Sequence, residues 1–375
     1  MAEDPYVSVC LPIYNGIRFL QERMESILNQ SFSRWELVVC DSYSDDGTWE
    51  YLKRYEQDQR VRLFQVPRAG IYAGWNECLR RSRGKYITIA TADDTAHPRF
   101  LECMIAALDH NPEVHLAMCQ FDFITELGGI MSDPAGERPN DCFGEWQARL
   151  HRRSGKAEFL AHLIRGGSWT TITSVVFTRE LLEKVGLFLE GETSVVDQLW
   201  AAKAALLTDS IWIPERLATW RIHGGQGSSR WNRRSGWRQV QLTARTICEC
   251  EPLIPELWKR DPEWREKLMW GAWHFYRSCY GLNRETLRRQ FGKFLVDAGW
   301  GLWHEPVYVL KRLAERLSWG ADEYGDSSEY VHKLIQEWKI PWPPVAINLS
   351  ASTLQIKKDA DHRSVLLQDK DRWTM

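Results

Sequence analysis

Two neighbouring carboxylates, Asp93 and Asp94, follow residues 86–91, an apolar run with the pattern of a buried strand. At the end of such a strand both side chains reach the edge of a sheet. Adjacent anions repel each other unless a cation lies between them, and a hard divalent cation that holds a substrate phosphate meets this need. The alternative is that the two residues cap a helix, because Pro98 and the apolar residues after it begin one. The other motifs of the N-terminal half favour the first interpretation.

The composition is that of a protein with a sizeable core. The chain has 375 residues, 44% hydrophobic and 26% charged, which is enough for one large domain plus an addition. The formal net charge of −2 predicts no bulk attraction to nucleic acid or to an anionic membrane. The nine cysteines form no C-x-x-C pair, and the acidic N-terminus lacks the pattern of a secretory signal. We therefore expect a cytoplasmic protein, and no apolar stretch is long enough to span a bilayer.

The hydrophobic period switches repeatedly between that of a strand and that of a helix. Strands are predicted over 7–13, 36–41, 61–66 and 86–91, with helical patterns beginning at residues 17, 47 and 73 between them. Such alternation predicts a mostly parallel sheet with helices on both faces, and ligands of these sheets bind at the carboxyl ends of the strands. The polar clusters at 14–15, 41–42 and 93–94 therefore converge on one edge.

The turns after these strands exclude two common nucleotide-binding folds and resemble a third. Neither G-x-G-x-x-G nor G-x-x-x-x-G-K-[ST] occurs. The strands end instead in LPIYN (11–15) and DSYSDDGT (41–48), and GIYAGWN (70–76) precedes TADD (91–94). In this order and spacing, over about the first 125 residues, the sequence resembles glycosyltransferase family 2, the inverting nucleotide-sugar transferases. The resemblance implies a GT-A fold: an α/β structure with a mixed, mostly parallel sheet and flanking helices, here with a C-terminal helical region.

The resemblance also implies which residues bind the nucleotide sugar. Asp41 matches the leading acid of the second motif and would bind the nucleoside, with the alternative that it only caps the end of its strand. Ser42 stands at the second acidic position of this motif, and a hydroxyl cannot supply a carboxylate contact, so the base of the donor nucleotide is not identified. The full set of donor-side candidates is Pro12, Ile13, Tyr14, Asn15, Asp41, Ser42, Asn76, Ala92, Asp93 and Arg221.

By the same resemblance, Asp93 and Asp94 would hold a divalent cation, Mn²⁺ or Mg²⁺. Thr91 occupies the first acidic position of this motif, so a carboxylate is missing there. His223 lies in WRIHGGQGSS (220–229), which is similar to the family's Y-R-x-H, and would contact the metal or the diphosphate. A structural histidine after a strand is the alternative.

Asp197 is the candidate general base that takes the proton of the acceptor hydroxyl. The segment VVDQLWAAK (195–203) resembles a family helix that begins with an acid pair, although Val196 replaces the first acid. The alternative is that Asp197 only caps its helix. Glu190 and Glu192 are the reserve candidates.

The remaining sequence predicts three regions: a GT-A domain at 1–238 with an acceptor-side insertion at about 127–156, a helical region at 239–340, and a Pro-containing, flexible tail at 341–375. Within the helical region, residues 291–317 mix aromatics with basic residues. They would either lie on a membrane surface or pack against the catalytic domain.

We expect an enzyme that moves a sugar from a nucleoside-diphosphate sugar to a hydroxyl of a glycan or glycolipid acceptor, in the cytoplasm or peripherally at the cytoplasmic membrane. One alternative is an inactive relative that binds sugar or nucleotide, suggested by Thr91, Ser42 and Val196 at positions where acids are expected. Another is a nucleic-acid binder that uses the Arg/Trp segment 230–238, but the acidic edge argues against nucleic acid as a partner.

Overall fold

The computed structural model describes residues 4–132, 142–165, 171–191, 196–226, 233–279 and 327–347. Predictions for Glu192, for residues 291–317 and for the tail beyond 347 lie outside these ranges. In the part of the chain that is described, no helix combines the length and the apolar character needed to cross a bilayer.

The N-terminal half alternates strands and helices as the sequence predicts. In chain order the elements are β1 (Val7–Ile13), α1 (Ile17–Leu28), β2 (Trp35–Asp41), α2 (Thr48–Leu52), β3 (Val61–Gln65), α3 (Ile71–Arg81), β4 (Tyr86–Ile89) and α4 (Phe100–Asp109). The four strands are all parallel and lie in the order β3-β2-β1-β4. Their carboxyl ends therefore meet at one edge, which we call the carboxyl edge.

The second half extends this sheet with mixed strand directions. It comprises β5 (Leu116–Ile124), β6 (Ile130–Met131), β7 (His151–Arg153), α5 (Gly155–Arg165), β8 (Val175–Thr178), α6 (Arg179–Val185), α7 (Val196–Ala205) and β9 (Ser210–Arg221). β8 lies antiparallel between β4 and β5, whereas β9 runs parallel to β5. The mixed sheet with flanking helices is confirmed, and its wholly parallel part is the block β1–β4.

The sequence pattern predicts two short strands, at 210–214 and 217–222, and the structure has one long strand there. The short strands expected around Pro214 are joined in β9, whose pairing with β5 shifts register beside Cys119 and Gln120. Proline cannot donate a ladder hydrogen bond, and a bulge at this point lets the strand continue past it. As a result β9 delivers its last residues to the carboxyl edge.

Strand alternation divides the core between the two faces of the sheet. Val9 and Leu11 of β1 pack with α1 and α4 on one face, while Cys10 packs with α3 and α7 on the other. Successive strand side chains point to opposite faces, so a continuous apolar strand is covered on both.

The C-terminal helices share a third core with α5. These helices are α8 (Arg233–Cys250), α9 (Glu256–Lys259), α10 (Trp264–Cys279) and α11 (Ser327–Glu337), followed by a short strand β10 (Val345–Ala346) that pairs with β7. Trp258 stacks on Trp338, with ring centroids 4.7 Å apart, and also packs against Phe159 of α5 at 6.1 Å. The predicted boundary at residue 238 falls inside α8, and the predicted division into domains stays a prediction.

We expect Gly84→Ala to be severely destabilising. A Cβ at Gly84 would lie 2.6 Å from the backbone nitrogen of Ser8 at the start of β1, where no side chain can move aside. Relieving that overlap should cost about 3 kcal/mol or more in the free energy of unfolding, measured by urea denaturation.

Gly74→Ala in α3 is the matched control for Gly84→Ala. Its Cβ would meet only Pro12 Cβ, at an ordinary 3.4 Å, and alanine is the better helix former. The free energy of unfolding should therefore change by less than about 1 kcal/mol. Equal losses in the two variants would contradict the proposed packing of the 84–86 turn on β1.

Candidate active site

The structure brings the three predicted polar clusters to the carboxyl edge. β1 ends at Ile13 and β2 at Asp41, and these two residues are partners in the parallel ladder. β4 ends at Ile89, so Asp93 and Asp94 follow on the neighbouring strand. Parallel pairing therefore places residues from three distant stretches of sequence side by side.

The loops after β1 and β2 are tied together by side-chain hydrogen bonds. Asn15 has a φ of 50°, in the left-handed region that asparagine tolerates. Its amide nitrogen donates to Asp45 Oδ1 at 2.7 Å, and its amide oxygen accepts from the Asp45 backbone nitrogen at 3.0 Å. Asn15 thus holds two loops of the edge in one geometry, while its predicted contact with the donor stays a prediction.

The predicted nucleoside side of the edge combines a buried acid with an exposed ring. Asp41 is fully buried and accepts hydrogen bonds from the hydroxyl and backbone nitrogen of Ser44, at 2.5 and 3.1 Å. Ile13 is buried and Pro12 is half-buried, whereas Tyr14 is exposed, and the guanidinium of Arg68 lies 3.7 Å from its ring centroid. The structure therefore offers a flat, cationic surface beside Asp41.

The two adjacent carboxylates have different environments. The Asp94 side chain is only 2% exposed; its Oδ2 accepts from the hydroxyls of Thr91 at 2.6 Å and Thr173 at 3.3 Å. Its Oδ1 accepts from the backbone nitrogen of Arg221 at 2.8 Å. The Asp93 side chain is 26% exposed and its Oδ2 lies 3.0 Å from His223 Nε2. Asp94 therefore faces the protein and Asp93 faces the edge.

Neither carboxylate caps α4. The N-cap residue of that helix is Arg99, and no side chain makes a capping hydrogen bond there. The helix-cap interpretation of Asp93 and Asp94 is therefore wrong.

His223 is held in one tautomer by the glycine-rich turn that follows it. The backbone nitrogen of Gly225 donates to His223 Nδ1 at 3.3 Å, so the hydrogen-bond pattern assigns the ring proton to Nε2, which donates to Asp93. The ring also packs against Phe19 of α1, with centroids 4.8 Å apart. His223 and Asp93, 130 positions apart in the chain, form one polar pair.

These environments separate the pKa values of the two acids. Burial, followed by the neighbouring charge of Asp93, raises the pKa of Asp94 to about 7. Burial also opposes ionisation of Asp93, but the hydrogen bonds from His223 and Thr91, together with the charge of His223, outweigh it and lower the pKa of that carboxyl. Asp93 therefore ionises at lower pH than Asp94.

Two buried arginines lie behind the carboxylates. Arg221 is fully buried; its Nε donates to the backbone oxygen of Asp93 at 2.7 Å and its Nη2 contacts Glu22 Oε2 at 2.5 Å. Its Nη1 donates to the backbone oxygen of Glu126 at 3.1 Å. Arg221, predicted to bind the donor, is thus placed as a brace for the Asp93–Asp94 turn. Arg23 of α1 is also buried, and burial lowers its pKa to about 10 while the carboxylates of Asp94 and Asp93 oppose that change.

The polar pair fits a divalent cation that brings substrate phosphates with it. Within the described ranges no three His, Cys, Asp or Glu side chains form a group that could hold a metal ion. Asp93 offers one carboxylate, and His223 would offer an imidazole nitrogen only after Nε2 gives up the proton that it donates to Asp93. Mg²⁺ is commonly bound by one or two carboxylates plus substrate phosphates and waters. The predicted third ligand, Asp94, has both oxygens occupied by internal hydrogen bonds.

Asp197, the predicted base, lies in the first turn of α7. The Tyr72 hydroxyl donates to Asp197 Oδ1 at 3.1 Å. Burial raises the pKa of Asp197, although the hydrogen bond from Tyr72 acts against that rise. Its reserve Glu190 is bound by Asn76 Nδ2 at 2.8 Å and Arg80 Nη2 at 3.0 Å. Asn76 is itself buried, so the structure places it beneath the Glu190 segment.

Sequence reasoning missed the residues that support these groups. Thr173 and Glu22 are ordinary polar residues in the sequence, and no motif marks them. Tyr72 does fall within the GIYAGWN motif, so its position next to a glycine-initiated helix is a signal that the sequence contains. Its contact with Asp197, 125 positions away, is visible only in the fold.

Comparison with known proteins agrees with this architecture. Residues 8–165 match the family described as Glycosyl transferase family 2. This segment belongs to glycosyltransferase family 2. The resemblance first drawn from the strand-end motifs is thereby confirmed.

Curated relatives match part of the chain. EpsE of Bacillus subtilis, named as a glycosyltransferase, is 40% identical over 128 residues, which are 32% of this chain and 46% of EpsE. TuaG of the same organism, named as a teichuronic acid biosynthesis glycosyltransferase, is 34% identical over 92 residues, 24% of this chain and 36% of TuaG. The chain thus spans less than half the length of these relatives.

A solved structure shares the fold over most of the chain. Crystalline S. aureus TarS 1–349 in complex with UDP-GlcNAc superposes with a TM-score of 0.63 at 15% identity, covering 89% of this chain and 91% of that chain. The GT-A fold with a helical C-terminal region is therefore confirmed.

We expect Asp94→Ala and Asp93→Ala to differ in stability. Removing Asp94 takes an acceptor from a buried backbone N–H and from two hydroxyls, so the free energy of unfolding should fall by about 2–4 kcal/mol. Asp93 is partly exposed, and its removal should cost less than about 1 kcal/mol. Urea denaturation at pH 7 without added metal measures both. Equal losses of stability would contradict the finding that Asp94 faces the protein interior and Asp93 faces the edge.

Proposed function

We propose that the protein is an inverting, metal-dependent glycosyltransferase that moves a sugar from a nucleoside-diphosphate sugar to a hydroxyl acceptor. The observation that carries the proposal is the Asp93–His223 pair at the carboxyl edge, 3.0 Å apart and next to the loops that follow β1 and β2. A family 2 segment with an ionised acid at this point has the chemistry that donor activation needs.

The donor side of the proposal rests on the edge formed by β1 and β2. Asp41 lies at the end of β2, and Tyr14 with Arg68 offers an exposed, cationic stacking surface beside it. Ring stacking and a buried carboxylate suit a nucleoside. TarS, which shares the fold, was crystallised with UDP-GlcNAc, so uridine diphosphate sugars are the first donors to test.

Asp93 would hold the cation, His223 would join it through Nε2 after losing the proton there, and Asp94 would brace the turn from behind. A bound Mn²⁺ or Mg²⁺ stabilises the negative charge that develops on a departing diphosphate. The chain's own contribution is to keep Asp93 ionised and to fix it in place: His223 donates to its carboxylate and Arg221 to its backbone oxygen. These contacts are made before any substrate binds, so the site is preorganised.

Asp197 would act as the general base. The bond from the sugar C1 to the diphosphate oxygen breaks, and the diphosphate leaves with the electron pair. The acceptor oxygen forms the new bond to C1 from the opposite face, which inverts the configuration, and its proton passes to the Asp197 carboxylate. Burial raises the pKa of Asp197, which makes it a stronger proton acceptor than an exposed aspartate.

The acceptor is proposed to be a glycan or a glycolipid of a cell-surface polysaccharide pathway. The support is the printed name of TuaG, a relative assigned to teichuronic acid biosynthesis. We keep the cytoplasm as the proposed location, with peripheral contact to the membrane where a lipid-linked acceptor would be presented.

Donor turnover tests the proposed function. With Mn²⁺ present, the parent protein should hydrolyse or transfer from at least one of a panel of UDP-, GDP-, ADP- and dTDP-sugars. Asp197→Asn should lower the rate about 10²- to 10⁴-fold, because it removes the base. Asp93→Asn should abolish the thermal stabilisation that nucleoside diphosphate gives only in the presence of Mn²⁺.

Asp109→Asn is the control, because Asp109 accepts hydrogen bonds from tyrosines at the end of α4 and takes no part in the site. It should retain the parental rate. A parent that binds nucleotide but turns over no donor, with Asp93→Asn and Asp197→Asn indistinguishable from it, would instead identify a binding relative without catalysis.

A further inference from the structure

Three polar residues of α3 are spaced four apart and therefore lie on one face of the helix: Tyr72, Asn76 and Arg80. Their hydrogen-bond partners are Phe188, Glu190 and the proposed base, Asp197. α3 itself precedes the strand that carries Asp93 and Asp94. This helix face is thus a direct physical connection between the two halves of the site.

Asn76 and Arg80 hold the segment before α7 in place. Asn76 Nδ2 donates to the backbone oxygen of Phe188 at 2.8 Å, and Asn76 Oδ1 accepts from the Phe188 nitrogen at 3.0 Å. Asn76 and Arg80 both bind Glu190 Oε1. The pairing of one side-chain amide with both backbone groups of a single residue holds that residue in position and orientation.

An aromatic cluster connects this segment to α7. The ring of Phe188 stacks on Trp200 of α7, with centroids 5.1 Å apart and planes 23° from parallel, and on Tyr72 at 6.2 Å and 16°. Trp75 meets Phe188 edge-on at 5.1 Å. Trp200 Nε1 also donates to the backbone oxygen of Gly186 at 2.8 Å. The helix that carries Asp197 is therefore packed against α3 through rigid rings.

Tyr72 contacts the proposed general base, Asp197, directly. Tyr72 is 6% exposed, and its hydroxyl donates to Asp197 Oδ1 at 3.1 Å. Burial and the charge of Asp197 raise the pKa of Tyr72 well above its usual value. The phenol therefore stays protonated and serves as a permanent donor to this carboxylate.

We propose that Tyr72 is a positioning residue of the transfer reaction, which sets the orientation of the Asp197 carboxylate and leaves the acceptor proton to Oδ2. This inference rests on the proposed function, because it assigns a partner to the proposed base. A donor fixed to Oδ1 restricts rotation of the carboxylate, and small errors in the placement of a base lower the rate steeply. The same hydrogen bond favours the ionised form of Asp197, which is the form that accepts a proton.

Tyr72→Phe tests the inference, because it keeps the ring and its stacking while removing the donor. The transfer rate at saturating substrate should fall about tenfold to a hundredfold with the donor KM unchanged. The acidic limb of the pH profile should move to higher pH by about one unit, because the ionised base loses a hydrogen bond. A ¹³C NMR titration of aspartate carboxyls, with Asp197→Asn to identify the resonance, should show the same rise without any turnover.

Tyr86→Phe is the matched control. Tyr86 is as buried as Tyr72, and its hydroxyl also donates to an aspartate, Asp109 Oδ1, at 2.6 Å, but it lies at the start of β4. It should leave the rate and the acidic limb at parental values. In the Asp197→Asn background, Tyr72→Phe should produce no further loss, because Tyr72 acts through Asp197.

The results separate this inference from the proposed function. If Asp197→Asn lowers transfer as expected but Tyr72→Phe moves neither the acidic limb nor the carboxyl resonance, the inference is overturned and the function stands. An equal loss from Tyr72→Phe in the parent and in Asp197→Asn also overturns it, since Tyr72 would then act elsewhere. If Asp197→Asn retains the parental rate, both proposals fail.

Discussion

Two acids side by side at the end of a buried strand are the constraint around which the site is built. One of them, Asp94, is satisfied from within by Thr91, Thr173 and the backbone of Arg221. The other, Asp93, is thereby turned towards the edge, where His223 favours its ionised form. If both faced outward their charges would repel each other without a cation between them, and if both faced inward the protein would bury two adjacent carboxylates. The asymmetry between them creates the site.

The same constraint explains a departure from the family motif. Thr91 stands where an acid is expected, and it donates a 2.6 Å hydrogen bond to Asp94 Oδ2. An acid at this position would place a third carboxylate against a buried one, with Arg23 and Arg221 behind to offset the charge. A hydroxyl supplies a donor instead, so the departure stabilises the inward acid and does not by itself indicate a lost activity.

The sequence predicts what depends on local pattern. The bounds of β1 are reproduced residue for residue, because its apolar run ends at a proline-containing turn motif. The sheet edge could be predicted since parallel strands all end on the same side. By contrast, the Asp93–His223 contact depends on β9 running parallel to β5 through a bulge, and no local pattern encodes that pairing. The role of Asn76 could not be predicted from the sequence either, because its hydrogen bonds to Phe188 join residues 112 positions apart.

α3 shows why a rigid helix suits such an edge. At Gly74 its backbone comes close to Pro12, on the predicted donor side, with room for little more than a methyl group. On the same helix Tyr72 reaches Asp197 and Asn76 holds Phe188. A shift of α3 would therefore disturb the donor loop and the proposed base together. Bond making and bond breaking at one carbon require the donor and the base to be held at a fixed distance from each other. A single helix that contacts both sides of the site holds that distance without a conformational change.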